Sequence, residues 1–201
     1  MRMRALPAAA LAAVVVLAPA VVHAGPMTPG ERQRLLAHLE MTEDWLVGEL
    51  NGLSYKQLTF KMTPESWSIK DVAEHLAIAE PQYWTNLEAS MKEPVKAGWK
   101  PVATDEQMLW YGIDRTNRQR TGEARVPHNT FPSAQASLAS FRKLRAKMLE
   151  TAKASQDDFR GRPFMGGGQD VYQWFLMIST HSQRHILQIR EIKAHASYPK
   201  K

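Results

Sequence analysis

The sequence predicts an all-α protein, a four-helix bundle with a long crossover between its second and third helices. Four long segments carry apolar residues at helical spacing, and each of them begins at a capping residue. The chain has no convincing strand pattern and no internal repeat. Its 201 residues, shortened by a predicted leader, are close to the size at which a chain encloses one hydrophobic core, so one domain is expected.

The N-terminus has the pattern of a secretory signal peptide. A Met-Arg-Met-Arg start precedes an Ala/Val/Leu-rich stretch that is interrupted by proline and reaches small residues at Ala24. The stretch is near the lower limit for crossing a bilayer, and no stop-transfer pattern follows it. We therefore expect residues 1–24 to be removed and residues 25–201 to form a periplasmic or secreted domain without a membrane span.

The chain carries a modest positive charge and no cysteine. It has 26 Lys and Arg residues against 20 Asp and Glu, a formal net charge of +6. A surplus of this size, spread along helices, is ordinary solubility charge, so no nucleic-acid partner is predicted. The absence of cysteine excludes disulfides and restricts metal ligands to His, Asp, Glu and backbone groups, and any thiol chemistry would need an external thiol.

The first two long helices begin at clear start signals. Thr28, followed by proline and then by glutamate three residues on, predicts a helix that ends at about residue 50. Ser68, followed three residues later by a carboxylate, predicts a second helix over residues 69–91. Pro81 lies inside the second helix, and we expect it to kink or split that helix because proline removes a backbone hydrogen bond.

The proline-rich stretch of residues 92–132 predicts the crossover. Compact domains seldom contain so long a connection without a structural reason, and passage along the length of the bundle would be that reason. One short helix is expected inside it, from Thr104 to about Arg118. Aromatic residues cluster in the second helix and the crossover, where core positions are favoured over a substrate pocket or a dimer surface: Tyr83, Trp84, Trp99, Trp110 and Tyr111.

The last two long helices are separated by a glycine-rich turn. Ser133 caps the third helix, over about residues 134–154, and Asp170 caps the fourth, over about residues 171–195.

Two of the seven histidines stand out, His181 and His185 on the fourth helix. A spacing of four residues brings their side chains to one helix face, close enough for two imidazoles to share one ion. They lie with Gln188 in the inward-facing apolar stripe, where each unsatisfied polar group would cost about 1–3 kcal/mol. A shared metal ion would remove most of that cost.

His75 on the second helix is the natural third ligand, but spacing alone leaves a second interpretation open. A core histidine bonded to a backbone carbonyl would fit the same position. The remaining histidines are interpreted as having no chemical role: His23, His38, His128 and His195.

Two segments resemble signatures of the DinB-like (DinB/YfiT) superfamily. Residues 67–76, with the sequence WSIKDVAEHL, resemble its W-S-x-x-[DE]-x-x-x-H-L motif, and residues 181–189, with HSQRHILQI, resemble its H-x-x-R-H-x-x-Q-I helix. The resemblance covers essentially the whole mature chain. It implies a four-helix bundle that binds one divalent ion, most often zinc or nickel, and by motif match the ligands are His75, His181 and His185.

Three functions are compatible with such a site. The first is a hydrolase-type metal enzyme acting on a small molecule. Its catalytic residues are not identified by the sequence, because Asp71 is better explained as a helix-start residue and Glu74 as a surface residue. The second is a non-enzymatic module that the ion stabilises. The third, transfer of a low-molecular-weight thiol, follows from the resemblance, but those thiols are cytosolic and export argues against it. Homodimer formation is left open.

The predicted cleavage after Ala24 can be tested directly. Intact-mass measurement of protein recovered from the exported compartment should give a chain that begins at Gly25, because the processing peptidase accepts small residues at its site. The Ala24→Leu variant should be processed poorly. Recovery of the exported protein with residues 1–24 still attached would contradict the prediction.

Overall fold

The structure is a computed structural model and describes residues 25–200, which form six α-helices and no β-strand. The helices are α1 (Pro29–Leu50), α2 (Tyr55–Thr59), α3 (Ile69–Lys92), α4 (Asp105–Ile113), α5 (Ala134–Ala154) and α6 (Val171–Lys193). Short 3-10 turns cover Glu123–Arg125 and Phe164–Gly166. The all-α prediction is confirmed. The predicted signal peptide lies outside the described residues, and its removal stays a prediction.

Hydrogen-bonded caps begin each of the four long helices. Thr28, Ser68 and Asp170 form reciprocal capping boxes with the third residue of their helices, and Ser133 accepts a bond from the backbone N–H of Ala136. The predicted starts of the long helices are therefore confirmed. Each start could be predicted from the sequence because its capping bond joins residues three positions apart.

Two local predictions differ from the structure, and one short helix was not predicted. The short helix α2 was not predicted, although Ser54 caps it in the same way. Helix α4 ends at Ile113, before the predicted Arg118. Helix α3 continues through Pro81 without a break, so the alternative that proline splits the helix is wrong. Apolar residues on both sides of Pro81 are buried in the core, and their packing outweighs the loss of one backbone hydrogen bond.

The four long helices form the bundle, in which α1 and α3 each pack against both α5 and α6. The start of α1 shares a core cluster with the start of α6 and with the ends of α3 and α5. Helices α1 and α6 thus run in one direction, and α3 and α5 run in the other. Because α3 and α5 are parallel, the chain between them must travel the length of the bundle, as predicted.

Helix α4, inside this crossover, packs against α6. Gly112 permits their close approach, because a Cβ atom there would lie 2.6 Å from Gln183 Oε1 and 2.9 Å from Thr180 Cβ. Among the described residues, no helix is both long enough and apolar enough to span a membrane.

A layer of polar side chains divides the core into two apolar clusters. One cluster includes Leu35, Leu39, Trp84, Met148 and Phe175. The other includes Leu46, Leu76, Phe141, Ile186 and Ile189. Each long helix contributes to the buried polar layer between them, through Thr42, Glu80, Arg145, Ser179 and Ser182.

The central contact of this layer joins three helices. Arg145 on α5 is fully buried, and its Nη2 donates to Glu80 Oε2 on α3 at 3.1 Å and to Ser182 Oγ on α6 at 2.7 Å. The Ser182 hydroxyl in turn donates to Glu80 Oε1. Burial raises the pKa of Glu80, although the Arg145 charge opposes the rise. Polar groups this deep must pair with one another, so the contact fixes how α3, α5 and α6 align.

A second arginine fastens the crossover to the bundle. Arg160 forms ion pairs with Glu31 at 2.8 Å, with Asp105 at 2.7 Å and with Asp170 at 3.0 Å. Its guanidinium also lies 3.9 Å from the ring centre of Tyr172. The starts of α1, α4 and α6 are therefore held by one cation.

The Arg145→Met substitution should lower the free energy of unfolding by about 3–5 kcal/mol, because it leaves Glu80 buried without its partner. Urea denaturation measures the loss. Adding Glu80→Met should recover much of it, since both partners are then apolar. Arg142→Met, which removes an exposed arginine from the same helix, should change stability by less than about 1 kcal/mol. Equal losses in the single and double variants would refute this account.

Candidate metal centre

The structure brings His75 of α3 together with His181 and His185 of α6. One ring nitrogen of each residue lies within 4.8 Å of the corresponding atoms of the other two. The Nε2 atoms of His75 and His181 are 3.2 Å apart. His75 and His181 are buried, and His185 is partly exposed. The predicted grouping of these three residues is therefore present in the fold, across a sequence separation of more than a hundred residues.

The backbone of the crossover orients His75. Its Nδ1 lies 2.7 Å from the carbonyl oxygen of Arg125. A carbonyl only accepts, so Nδ1 carries the hydrogen, and the neutral ring presents the Nε2 lone pair towards His181. The carbonyl-bonded histidine considered from sequence is thus present, and it is compatible with a ligand role because the two ring nitrogens serve different partners.

His185 is oriented in the same manner by its own helix. Its Nδ1 lies 2.8 Å from Gln188 Oε1, one turn further along α6, which leaves Nε2 for the shared space. Trp67 covers this side of the site, with its ring centre 4.9 Å from that of His75 and 6.3 Å from that of His185. The Nδ1 atom of His181 is buried and has no hydrogen-bond partner among the described residues.

The surroundings keep the three imidazoles uncharged. Burial lowers the pKa of His185 to about 3, and the neighbouring positive groups contribute to the decrease. Burial also lowers the pKa of His75 and takes that of His181 well below its usual value, with the charge of Arg125 acting in the same direction on both. At neutral pH these rings therefore offer lone pairs rather than protons.

The donor set fits a divalent transition metal. Three neutral imidazoles are ligands that zinc and nickel accept, and no proton has to be displaced from them near pH 7. Bare lone pairs 3.2 Å apart repel each other unless a proton or a cation lies between them, and one cation could satisfy all three rings at once.

A cavity of about 540 Å³ opens onto the three histidines. Its wall combines aromatic and charged side chains from α3, α6 and the crossover. The single acidic residue of the lining is Glu191. Five arginines also line the cavity: Arg115, Arg118, Arg120, Arg125 and Arg184. A smaller space of about 210 Å³, lined by Tyr83, Tyr111, Trp174, Met177 and His181, shares three residues with it. The site can therefore admit a small molecule beside the histidines.

Arg184 closes one wall of this cavity. It lies between the two histidines of α6, is almost fully buried, and donates to the backbone carbonyls of Tyr111, Asp114 and Asn117. The segment after α4 is thereby tied to the helix that carries the site.

Asp71 and Glu74, the two acidic residues considered for a catalytic role, both form bonds that stabilise the fold. Asp71 completes the capping box of α3, as expected. The interpretation of Glu74 as a surface residue is wrong, because its side chain is buried. Its Oε1 accepts from the backbone N–H groups of His128 at 3.0 Å and Thr130 at 2.7 Å, so Glu74 anchors the crossover near Arg125. Sequence spacing could not show this partner, which lies 54 residues away.

The other histidines lie apart from the cluster within the described residues. His38 is half-buried and bonded to Ser179 Oγ at 2.8 Å, His128 is exposed, and His195 packs against Phe60. Of the aromatic residues noted in the sequence, Tyr83 and Tyr111 line the cavity. Trp84 belongs to the core, and Trp110 is exposed.

Among known proteins, YuaE and YfiT are similar to this chain. YuaE, an uncharacterised protein of Bacillus subtilis strain 168, is 30% identical over 155 residues, which cover 75% of this chain and 91% of YuaE. The solved structure of YfiT from Bacillus subtilis superposes with a TM-score of 0.57 at 17% identity, covering 86% of this chain and 91% of YfiT. That protein is described as a probable metal-dependent hydrolase with an unusual four-helix bundle topology.

The family model of the DinB superfamily matches residues 38–189, which contain all three clustered histidines. The match spans most of the chain, including both motif segments and the crossover between them. The chain belongs to the DinB superfamily.

Proposed function

We propose that the chain binds one divalent metal ion, zinc or nickel, through His75, His181 and His185, and that the ion serves a hydrolase-type reaction on a small molecule. The observation that carries this proposal is the convergence of three neutral imidazoles on a cavity that reaches solvent. A site intended only to stabilise the bundle would be closed by a fourth protein ligand.

A divalent ion on three imidazoles supplies Lewis acidity and brings the pKa of a water molecule down to about 7. The residues of the chain prepare the place for it. The carbonyl of Arg125 and the amide of Gln188 fix the tautomers of His75 and His185. Trp67 lines one side of the cavity and packs against the ring of His75.

The description of YfiT supports this proposal at the level of the fold, since 17% identity does not carry an activity from one chain to another. The donor set and the cavity of this chain carry the chemical part. We further propose that the domain acts in the periplasm or outside the cell, on the basis of the predicted signal peptide.

The His181→Ala variant should lose metal binding. Calorimetric titration of metal-free protein, prepared with a chelator, should give one zinc or nickel ion per chain. The variant should bind the ion at least about 100-fold more weakly. Removing a ligand should cost more affinity than the roughly 10–100-fold lost when a ligand's hydrogen-bond partner is removed. At a concentration 100 times the Kd, the ion should stabilise the unmodified chain by about 2.7 kcal/mol and the variant by much less.

His128→Ala is the matched control, because it removes an exposed histidine outside the cluster. It should bind metal as the unmodified chain does. Undiminished metal affinity in the His181→Ala variant would contradict the assigned ligand set.

A cobalt-substituted sample should report an exchangeable coordination position. Azide titration should change the visible absorption spectrum, because the cavity opens onto the histidines and leaves room for an added ligand. The same preparation should be assayed against a panel of esters, amides and phosphate esters. A spectrum that azide leaves unchanged, together with a large fall in Tm on chelation, would instead favour a non-enzymatic module stabilised by its ion.

A further inference from the structure

The cavity contains more positive charge than its own acidic residue can balance. Two of its five arginines already have partners. Arg184 is bonded to backbone carbonyls, and Arg115 forms a two-pronged pair with Glu191, with both nitrogen–oxygen distances at 2.9 Å. The remaining three are Arg118, Arg120 and Arg125.

None of these three arginines forms an ion pair within residues 25–200. Most other arginines of the described residues do, including Arg142, Arg145, Arg160 and Arg190. Like charges gathered around one concave space repel each other and strengthen the field inside it. A bound anion would remove the repulsion.

Arg125 connects this charge to the three histidines. Its Nε is buried and has no hydrogen-bond partner in the described part of the chain. Its guanidinium lies 5.2 Å from the ring centre of Tyr83, and that ring meets His181 edge-on at a centre-to-centre distance of 5.2 Å. The backbone carbonyl of the same residue orients His75. An anion bound by Arg125 would therefore lie beside the proposed metal site.

The smaller neighbouring space has the opposite character. Apart from His181, its lining is aromatic or apolar and contains no charged residue: Tyr83, Tyr111, Trp174 and Met177. Because His181 and the two tyrosines line both spaces, one ligand can occupy them together, with His181 between its two ends.

We propose that the substrate is a small organic anion with an apolar group. Its carboxylate or phosphate would be bound by Arg118, Arg120 and Arg125. Its apolar end would enter the smaller space beside Tyr111, Trp174 and Met177. This inference rests on the proposed function, because it names the class of molecule presented to that same site. Arginine suits both anions, since its planar donors match carboxylate and phosphate oxygens.

The test measures binding of small probes by calorimetry to the full mature chain, both after its metal has been removed by a chelator and after loading with zinc. Phenyl phosphate and phenylacetate should bind the chelated protein at least about tenfold more tightly than neutral phenylacetamide, because only the anions engage the arginines. They should also bind more tightly than inorganic phosphate and acetate, which lack the apolar group. The tighter of the two phenyl probes identifies the anion as phosphate or carboxylate.

Arg125→Met should weaken binding of both phenyl anions by about tenfold or more and leave phenylacetamide unaffected. Arg142→Met removes the same charge from an exposed site outside the cavity and should leave all affinities unchanged. The double variant Arg118→Met/Arg120→Met changes two exposed residues, so it provides the same test without disturbing the core. Equal binding of phenylacetate and phenylacetamide, or equal effects of Arg125→Met and Arg142→Met, would overturn the inference.

The outcome separates this inference from the proposed function. Anion binding that survives chelation and requires Arg125, in a chain that takes up neither zinc nor nickel, would support the anion site and refute the metal enzyme. Uptake of zinc or nickel without any preference for the charged probes would support the metal site and refute the anion site.

Discussion

The contact among Arg145, Glu80 and Ser182 is the constraint on which the site depends. It joins α5, α3 and α6 at the middle of the bundle, where all three side chains are buried. Apolar side chains are tolerant of exchange for others of similar volume, whereas buried ionic groups are strongly destabilising when separated from their partner. His75 lies five residues before Glu80, and His181 immediately precedes Ser182. Fixing the alignment of these helices therefore also fixes the distance between the two buried histidines.

The crossover contributes the outer half of the site. Because α3 and α5 are parallel, this segment must run along the length of the bundle. On its way it passes over the three histidines. Arg184 donates to the backbone carbonyls of Asp114 and Asn117, just after α4. Glu74 accepts from the backbone N–H groups of residues 128 and 130. Between these two attachments lies Arg125, whose carbonyl sets the tautomer of His75. The crossover thus supplies a hydrogen bond to one of the three clustered histidines as well as a connection between helices.

The positive charge of the cavity affects both the histidines and the space in front of them. Burial lowers the pKa of His181 and His185, and positive charge around them acts in the same direction, so their ring nitrogens keep their lone pairs. The same charge attracts anions to the space in front of them. The adjacent space is lined mainly by aromatic and apolar side chains, so neutral imidazoles, positive charge and an apolar surface lie next to one another in one arrangement.

Local signals determined the helices and part of the site. Caps at Thr28, Ser68 and Asp170 depend on residues three positions apart, and the pair His181 and His185 depends on one helical turn, so the sequence alone was sufficient for them. Tertiary structure alone decided the rest. The burial of Glu74 and the approach of Arg125 to His75 join residues about fifty positions apart or more, and no periodicity records such contacts. Their partners come together only when buried polar groups have to find each other between packed helices.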